Sequence, residues 1–283
     1  MIVAVIPNLD KRGSSETVEK MAAFFKECGI PAYLPDDICC ADYEHAPRDE
    51  LYKIADVIIT IGGDGTIIRF AKRAARDGKP VLGINAGRVG YLANIEQNEY
   101  NLLSKLQTGE YTIEERMMLN IIVKENGNII GEYEALNDAV ISSGYLSRII
   151  DVTASVDGGD VITYHADGLI AATPTGSTAY SMSAGGPVID PSMKCVCLTP
   201  ICSHSLAAKP ILISADKEIK LKAFSKKRTE IYLSVDGRKV TNVKPYTEIY
   251  VSQSKNAVKL VRINDRSFYK TLSLKFRDAR SSK

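Results

Sequence analysis

The sequence lacks several things at once, and each absence removes a class of function. It has no run of 18 or more apolar residues, so no transmembrane helix is expected. The apolar N-terminus, Met1 to Ile6, has no basic stretch before it and no small-residue cleavage site after it. It reads as a first strand rather than a signal peptide. Charge of one sign is not in excess: 36 basic residues against 34 acidic ones leave +2. Neither nucleic acid nor an anionic membrane is expected as a partner on that balance. The C-terminal tail is locally basic at Lys270, Lys275, Arg277, Arg280 and Lys283 and reads as a solvated tail. Six cysteines in 283 residues do not make a disulfide framework. Cys39 and Cys40 are adjacent and Cys195 and Cys197 are two apart, so neither pair has zinc-knuckle spacing. Cys195, Cys197 and Cys202 read as small hydrophobes with reduced thiols, which points to the cytoplasm. His45, His165 and His204 are scattered, and no Ser/His/Asp order is evident. His165, two residues before Asp167, could line a site if both lie in one strand. The Walker A phosphate loop, with its Gly-Lys-Ser/Thr ending, is also missing.

What is present divides near residue 113. The length predicts two domains. The first third alternates strand and helix signals: strands at 2–6, 32–34, 56–61 and 81–84, and helices at 15–28 and 66–76. Val18, Met21, Ala22 and Phe25 have helical spacing, and Gly29 closes that helix as a C′ residue. Residues 35–47 read as loop. Strand, helix, strand in succession predicts a parallel sheet with helices on its faces. Beyond 113 the helical period fades. Alternating strands follow, with turns at Asn126-Gly127, Asp157-Gly158-Gly159-Asp160 and Asp236-Gly237, as in an all-β sandwich. Phe268, Leu272 and Phe276 then predict a helix over 267–283, packed back on the first domain. The expected organisation is an α/β N-terminal Rossmann-like domain (1–112), an all-β sandwich-like domain (113–265) and a returning C-terminal segment (266–283).

Three stretches carry chemistry. Gly62-Gly63-Asp64-Gly65-Thr66 lies between a buried strand and a helix. Its glycines let a ligand approach the backbone, Thr66 could cap the helix, and the helix N-terminus offers N–H groups to phosphate. A carboxylate there suits a metal ion or a hydroxyl to be deprotonated; a plain turn with Asp64 as a cap is the alternative. Gly83 to Tyr91, with Gly87, Arg88 and Gly90, follows the next strand and should reach the same rim, or be a structural loop. Between Thr173 and Ser183 there are six Ser or Thr in eleven residues. That density suits a polar ligand with phosphates or ribose, or else a loop held by its own hydrogen bonds. Asn137-Asp138 and Asp236-Gly237, taken alone, read as turn or cap residues.

With these motifs the chain resembles the NAD kinases that use ATP or polyphosphate. The resemblance covers nearly the whole length: Gly62 to Thr66, Gly90 to Ala93, Leu136 to Asp138, Asp167 to Ile170, Thr173 to Tyr180, Ser183 to Pro187, Leu198 to Cys202, Asp236-Gly237 and Phe268 to Ser273. The Gly-Gly-Asp-Gly-Thr string also occurs in lipid and sugar kinases, so those stand as alternatives, as does a non-catalytic NADP-binding sensor. Where the family usually has Asn-Glu, this chain has Asn137-Asp138, which shortens the carboxylate's reach by one methylene.

The resemblance implies NAD bound between an α/β layer and a β-sandwich. It makes Asp64 the base for the 2′-hydroxyl of the adenosine ribose. Gly65, Tyr91, Asn137, Asp138, Asp167, Thr175, Ser177, Thr178, Ala179, Tyr180 and Ser183 would contact NAD, with Asp167 reaching a neighbouring subunit. Gly62, Gly63, Thr66 and Arg69 would face the phosphate donor. Mg²⁺ would accompany the donor, with no protein ligand assigned to it. A homodimer or homotetramer formed through the β domain is expected.

Overall fold

The computed structural model describes residues 1–87, 89–144, 149–205, 208–226 and 229–281. Arg88 of the second glycine stretch and Lys283 of the basic tail fall outside that set. In chain order the elements are β1 (Val3–Pro7), α1 (Ser14–Cys28), β2 (Ala32–Pro35), β3 (Glu44–Ala46), α2 (Arg48–Ile54), β4 (Val57–Gly62), α3 (Asp64–Arg76), β5 (Val81–Asn85), β6 (Ile95–Glu96) and α4 (Ser104–Thr108). Then come β7 (Thr112–Glu125), β8 (Asn128–Ala135), β9 (Asp138–Ser143), β10 (Ile150–Val156), β11 (Gly159–Ala166), β12 (Gly168–Ala172), α5 (Tyr180–Ser183) and β13 (Cys195–Ile201). The chain ends with β14 (Ile211–Ser214), β15 (Ile219–Phe224), β16 (Ile231–Val235), β17 (Arg238–Val243), β18 (Thr247–Arg262) and α6 (Phe268–Ser281). Two compact units result: Met1–Glu115 with Val258–Lys283, and Arg116–Ala257.

Unit 1 is a parallel sheet in the order β5-β4-β1-β2-β3. Every residue of β1, β4 and β5 is buried, which is why these strands read as continuous apolar runs rather than alternating ones. Helix α1 buries Val18, Met21, Ala22 and Phe25, the four positions its period marks. It ends on Gly29 in the left-handed conformation (φ 64°). Two expectations need correction. The 35–47 loop contains β3, a three-residue edge strand parallel to β2, too short to show a period. Helix α3 starts at Asp64, not Thr66; its N-cap is Gly63 in an extended conformation. The Thr66 hydroxyl instead accepts from Asn8 Nδ2 at 3.2 Å.

Unit 2 is antiparallel. One sheet runs β14-β13-β12-β9-β16-β17. The other contains β11-β10-β15-β18 and the β7–β8 hairpin. Inward residues of both sheets, among them Ile121, Val152, Leu169, Leu198, Leu221 and Leu233, form one core cluster, as in a sandwich. Three hairpins turn on two residues with positive φ: Asn126 (49°) and Gly127 (82°), Asp157 (47°) and Gly158 (84°), Asp236 (46°) and Gly237 (75°). This is the type I′ geometry that matches strand twist.

Candidate active site

In unit 1 the buried strand β4 delivers the chain to Gly62, and a Cβ there would lie 2.6 Å from the Thr66 Cβ. Only glycine lets α3 begin this close to the strand end. The first N–H groups of α3, at Asp64 and Gly65, have no intrahelical partner by position and are suited to bind phosphate. Asp64 is half-buried and Gly65 exposed. The Asp64 carboxylate accepts from two consecutive main-chain donors, Tyr91 N–H at 2.9 Å and Leu92 N–H at 3.1 Å. A Cβ on Gly90 would stand 2.1 Å from Asp64 Oδ1, so the carboxylate fits only against glycine. The second glycine stretch therefore does reach the rim of the first, and its part is to orient Asp64. It is fixed at its start by Asn85, whose Nδ2 donates to Glu96 Oε2 at 2.8 Å and to the Gly87 carbonyl at 3.2 Å.

The Tyr91 ring lies 5.8 Å from that of Phe268 on α6, with the Lys275 ammonium 4.4 Å from its centroid. Its hydroxyl oxygen is buried, with no hydrogen-bond partner among the described residues. Burial, and then the nearby Asp64 charge, raise the phenol above the ordinary tyrosine range. Phe276, expected on the packed stripe of α6, is instead 50% exposed, while Thr271 is buried. Arg69 is exposed on α3, its guanidinium 5.4 Å from the Phe70 centroid.

In unit 2 a cavity of about 390 Å³ is lined by Asn137, Asp138, Ser142, Ala179, Tyr180 and Asp236, among others. Asp138 is buried and Tyr180 is 46% exposed. Asp236 organises this wall. Its carboxylate accepts from the N–H groups of Leu136 (3.1 Å), Asn137 (2.8 Å) and Asp138 (3.2 Å), and its own N–H donates to the Asp138 carbonyl at 3.0 Å. In sequence alone Asp236-Gly237 reads only as a hairpin turn. The signal was an Asp where a type I′ turn accepts Asn equally well, too weak to single it out. The Thr173–Gly186 loop docks onto the same segment. Thr173 donates its hydroxyl to the Leu136 carbonyl (2.6 Å) and its N–H to the Asn137 carbonyl (2.8 Å). A Cβ on Gly176 would stand 2.0 Å from that Asn137 oxygen.

Most hydroxyls of the loop bond within the protein, as in a loop held by its own hydrogen bonds. Ser177 is fully buried; its Oγ donates to the Pro174 carbonyl at 2.6 Å and accepts from Ile189 N–H at 3.0 Å. Buried Thr175 accepts from the guanidinium of buried Arg116 at 3.2 Å. Thr178 donates to the Thr175 carbonyl at 3.2 Å, and Ser181 pairs with Thr199 at 2.8 Å. Ser183 is exposed. Asp167 is half-buried and tied by its backbone to Ile201 and Ser143. The cavity thus gathers Asn137, Asp138, Ala179 and Tyr180, and not Thr175, Ser177, Thr178, Ser183 or Asp167.

His165 pairs with Asp151 on the neighbouring strand. Cys195 and Cys197 are buried in β13, and burial pushes both thiols up, away from the thiolate a metal would need. Among the described residues no group of three or more His, Cys, Asp or Glu could hold a metal ion. No helix is long and apolar enough to cross a membrane, among those residues.

Comparisons with known proteins agree with one another. Residues 3–111 match the model of the ATP-NAD kinase N-terminal domain and residues 136–263 that of the ATP-NAD kinase C-terminal domain. The NAD kinase of Natranaerobius thermophilus is 40% identical over 96% of both chains. That of Acetivibrio thermocellus is 36% identical over 98% of this chain and 97% of the other. Among solved structures, an NAD kinase from Archaeoglobus fulgidus in complex with ATP has a TM-score of 0.75 at 28% identity, covering 98% and 99% of the two chains. Yeast NADH kinase complexed with NADH has a TM-score of 0.84 at 23% identity, covering 95% and 84%, and shares the fold.

Proposed function

This chain belongs to the NAD kinase family, and we propose that it phosphorylates the 2′-hydroxyl of the adenosine ribose of NAD to give NADP, with Asp64 as the general base. It is a kinase acting on NAD, with ATP as a phosphate donor; polyphosphate is a second donor in this proposal.

One observation carries the role of Asp64. Its carboxylate stands at the N-terminus of α3, oriented by the Tyr91 and Leu92 N–H groups, with glycine at 62, 63, 65 and 90 keeping side chains away. An alcohol attacking phosphorus needs its proton accepted as the bond forms, and an oriented carboxylate within hydrogen-bond reach does that. The α3 N-terminus, with Gly62, Gly63 and Thr66, faces the donor phosphates, as helix N-termini generally can; exposed Arg69, one turn on, adds positive charge. Asn137, Asp138, Ala179 and Tyr180 line a pocket in unit 2 that suits the adenosine end of NAD. Phosphoryl transfer asks mainly for such alignment and for charge neutralisation.

Mg²⁺ enters with the donor in this reading. The described side chains make no cage for a resident ion, and Mg²⁺ commonly binds through substrate phosphates with few carboxylates. When bound it neutralises charge on the donor oxygens.

A cytoplasmic homodimer or homotetramer completes the proposal, with Asp167 reaching a dinucleotide in the neighbouring subunit. Among the described residues strand β8 pairs only with β7; it carries Ile129 and Ile130, 54% and 47% exposed. An apolar sheet edge of that kind calls for cover; light scattering at micromolar concentration measures it. The decisive assay is NADP formation from NAD with ATP or polyphosphate under varied divalent metal. Protein that binds NAD and yields no NADP with either donor would overturn the reaction.

A further inference from the structure

The two N–H groups that hold Asp64 are themselves gripped by one stretch of chain, at its far end in sequence. Arg262 Nη1 donates to the carbonyl of Leu92 at 3.2 Å, the same residue whose N–H donates to Asp64 Oδ1. Arg262 is aimed by Glu114, whose Oε2 accepts from its Nε at 2.6 Å. Two residues on, Asn94 and Asn264 close a reciprocal amide clasp. Asn94 Nδ2 donates to Asn264 Oδ1 at 2.9 Å, and Asn264 Nδ2 donates to the Asn94 carbonyl at 2.8 Å. Asn94 Oδ1 accepts from the N–H groups of Ile263 (2.7 Å) and Asn264 (3.2 Å). Asn94 is fully buried and Asn264 half-buried. Tyr91, the other donor to Asp64, is held by its ring between Phe268 and Lys275.

From this convergence we propose that the segment from Arg262 to Lys275 is the positioning element of the base, and that Arg262 is its principal residue. The inference rests on the reading of Asp64 as general base. Each link is a directional hydrogen bond or ring contact, all within unit 1. A carboxylate that must meet a hydroxyl within hydrogen-bond distance is sensitive to displacement: misplacement by about 1 Å can lower a rate about 10²-fold. The asparagine clasp registers the chain. Arg262 and the α6 side chains then fix the two peptide units that aim Asp64. Arg262 is a positioning residue, acting through Leu92, with no contact to substrate in this account.

The test is kinetic, on the full chain, with NAD, ATP and Mg²⁺. Arg262→Gln is expected to lower kcat about 10- to 100-fold while the KM for NAD stays near that of the unsubstituted protein. Arg262→Lys should recover part of the loss, since it restores the charge without the planar fork. The discriminating measurement is the cycle with Asp64→Asn. If Arg262 works through Asp64, Arg262→Gln costs nothing further once Asp64→Asn has removed the base. An equal proportional loss in both backgrounds, or an unchanged kcat in Arg262→Gln alone, would overturn the inference. Should Arg262→Gln melt early, Lys275→Met reads the same coupling through Tyr91. Its smaller loss in kcat must then vanish in the Asp64→Asn background, or the inference fails. Normal turnover in Asp64→Asn itself would sink the base reading first. A slow Asp64→Asn beside a normal Arg262→Gln sinks only the positioning role.

Discussion

Asp64 in unit 1 and Asp236 in unit 2 are both carboxylates caught by consecutive main-chain N–H groups, and the two differ in how far they are caught. An ionised carboxylate offers about four acceptor sites. Asp64 gives one oxygen to Tyr91 and the other to Leu92, which fixes its direction and leaves capacity for an incoming hydroxyl. Asp236 accepts from three successive donors, at 136, 137 and 138, and returns its own N–H to the Asp138 carbonyl. That ring closes on itself. With Asp64 as the proposed base, the same device builds a reagent in one unit and a buckle in the other. What separates them is the number of donors each chain segment presents, not the side chain.

The largest effect should come from breaking the reagent. Asp64→Asn keeps one acceptor oxygen for the main-chain donors and loses the proton acceptor; turnover should fall about 10²–10⁴-fold with NAD binding retained. If Asp64 only capped α3, Asn would serve almost as well, and near-normal turnover at an unchanged melting temperature would show it. Next is the ground against which the reagent lies. Gly90→Ala places a methyl where Asp64 Oδ1 now sits, 2.1 Å away. The carboxylate must turn, and kcat should fall about 10²-fold, as misplacement at a reacting centre does. Gly87→Ala, whose Cβ meets nothing within 4 Å, is the control; equal losses in both variants would refute the close-contact argument.

Breaking the buckle should show in stability and affinity rather than in kcat. Asp236→Ala strands three main-chain donors. Hydrogen bonds to a charged group contribute about 1.5–3 kcal/mol each, but water reaches this half-buried site, so a net loss of about 2–3 kcal/mol is expected. The KM for NAD should rise with it, because Asn137 and Asp138 lose their register. A fall in kcat as deep as that of Asp64→Asn, with an unchanged melting temperature, would mean that Asp236 is a second reagent and the comparison is wrong.

These two carboxylates also mark how far the sequence could be read. The Asp64 turn was legible because its neighbours in sequence, three glycines and a buried strand, are also its environment. Asp236 was not: its partners lie about 100 residues away, and locally it shows only a hairpin. The parallel layer and the sandwich were legible for the same local reason, from continuous apolar strands such as β4 and from the turns at Asn126-Gly127 and Asp236-Gly237. Strand β3 was too short to carry a period. Arg262 and Asn94 carried no signal at all, since about 170 residues separate each from its partner. The Thr173–Ser183 stretch was legible as a dense polar loop, but hydroxyl spacing does not say whether the acceptor is a ligand or the loop's own carbonyls.

Ser177→Ala sharpens that last point, and its effect should be the smallest. The side chain is fully buried and bridges the Pro174 carbonyl and the Ile189 N–H. Alanine leaves both without that partner, in a place water does not reach. An unsatisfied buried group costs about 1–3 kcal/mol, so the melting temperature should fall by several degrees on the usual scale for a domain of this size. Turnover at saturating NAD should stay near that of the unsubstituted protein. The hydroxyl bonds to Pro174 and Ile189, while Ala179 and Tyr180 line the pocket. The opposite outcome is equally readable. A KM for NAD raised tenfold or more at an unchanged melting temperature would place the hydroxyl on the ligand. It would then align Ser177 with the open-handed Asp64 rather than the closed Asp236.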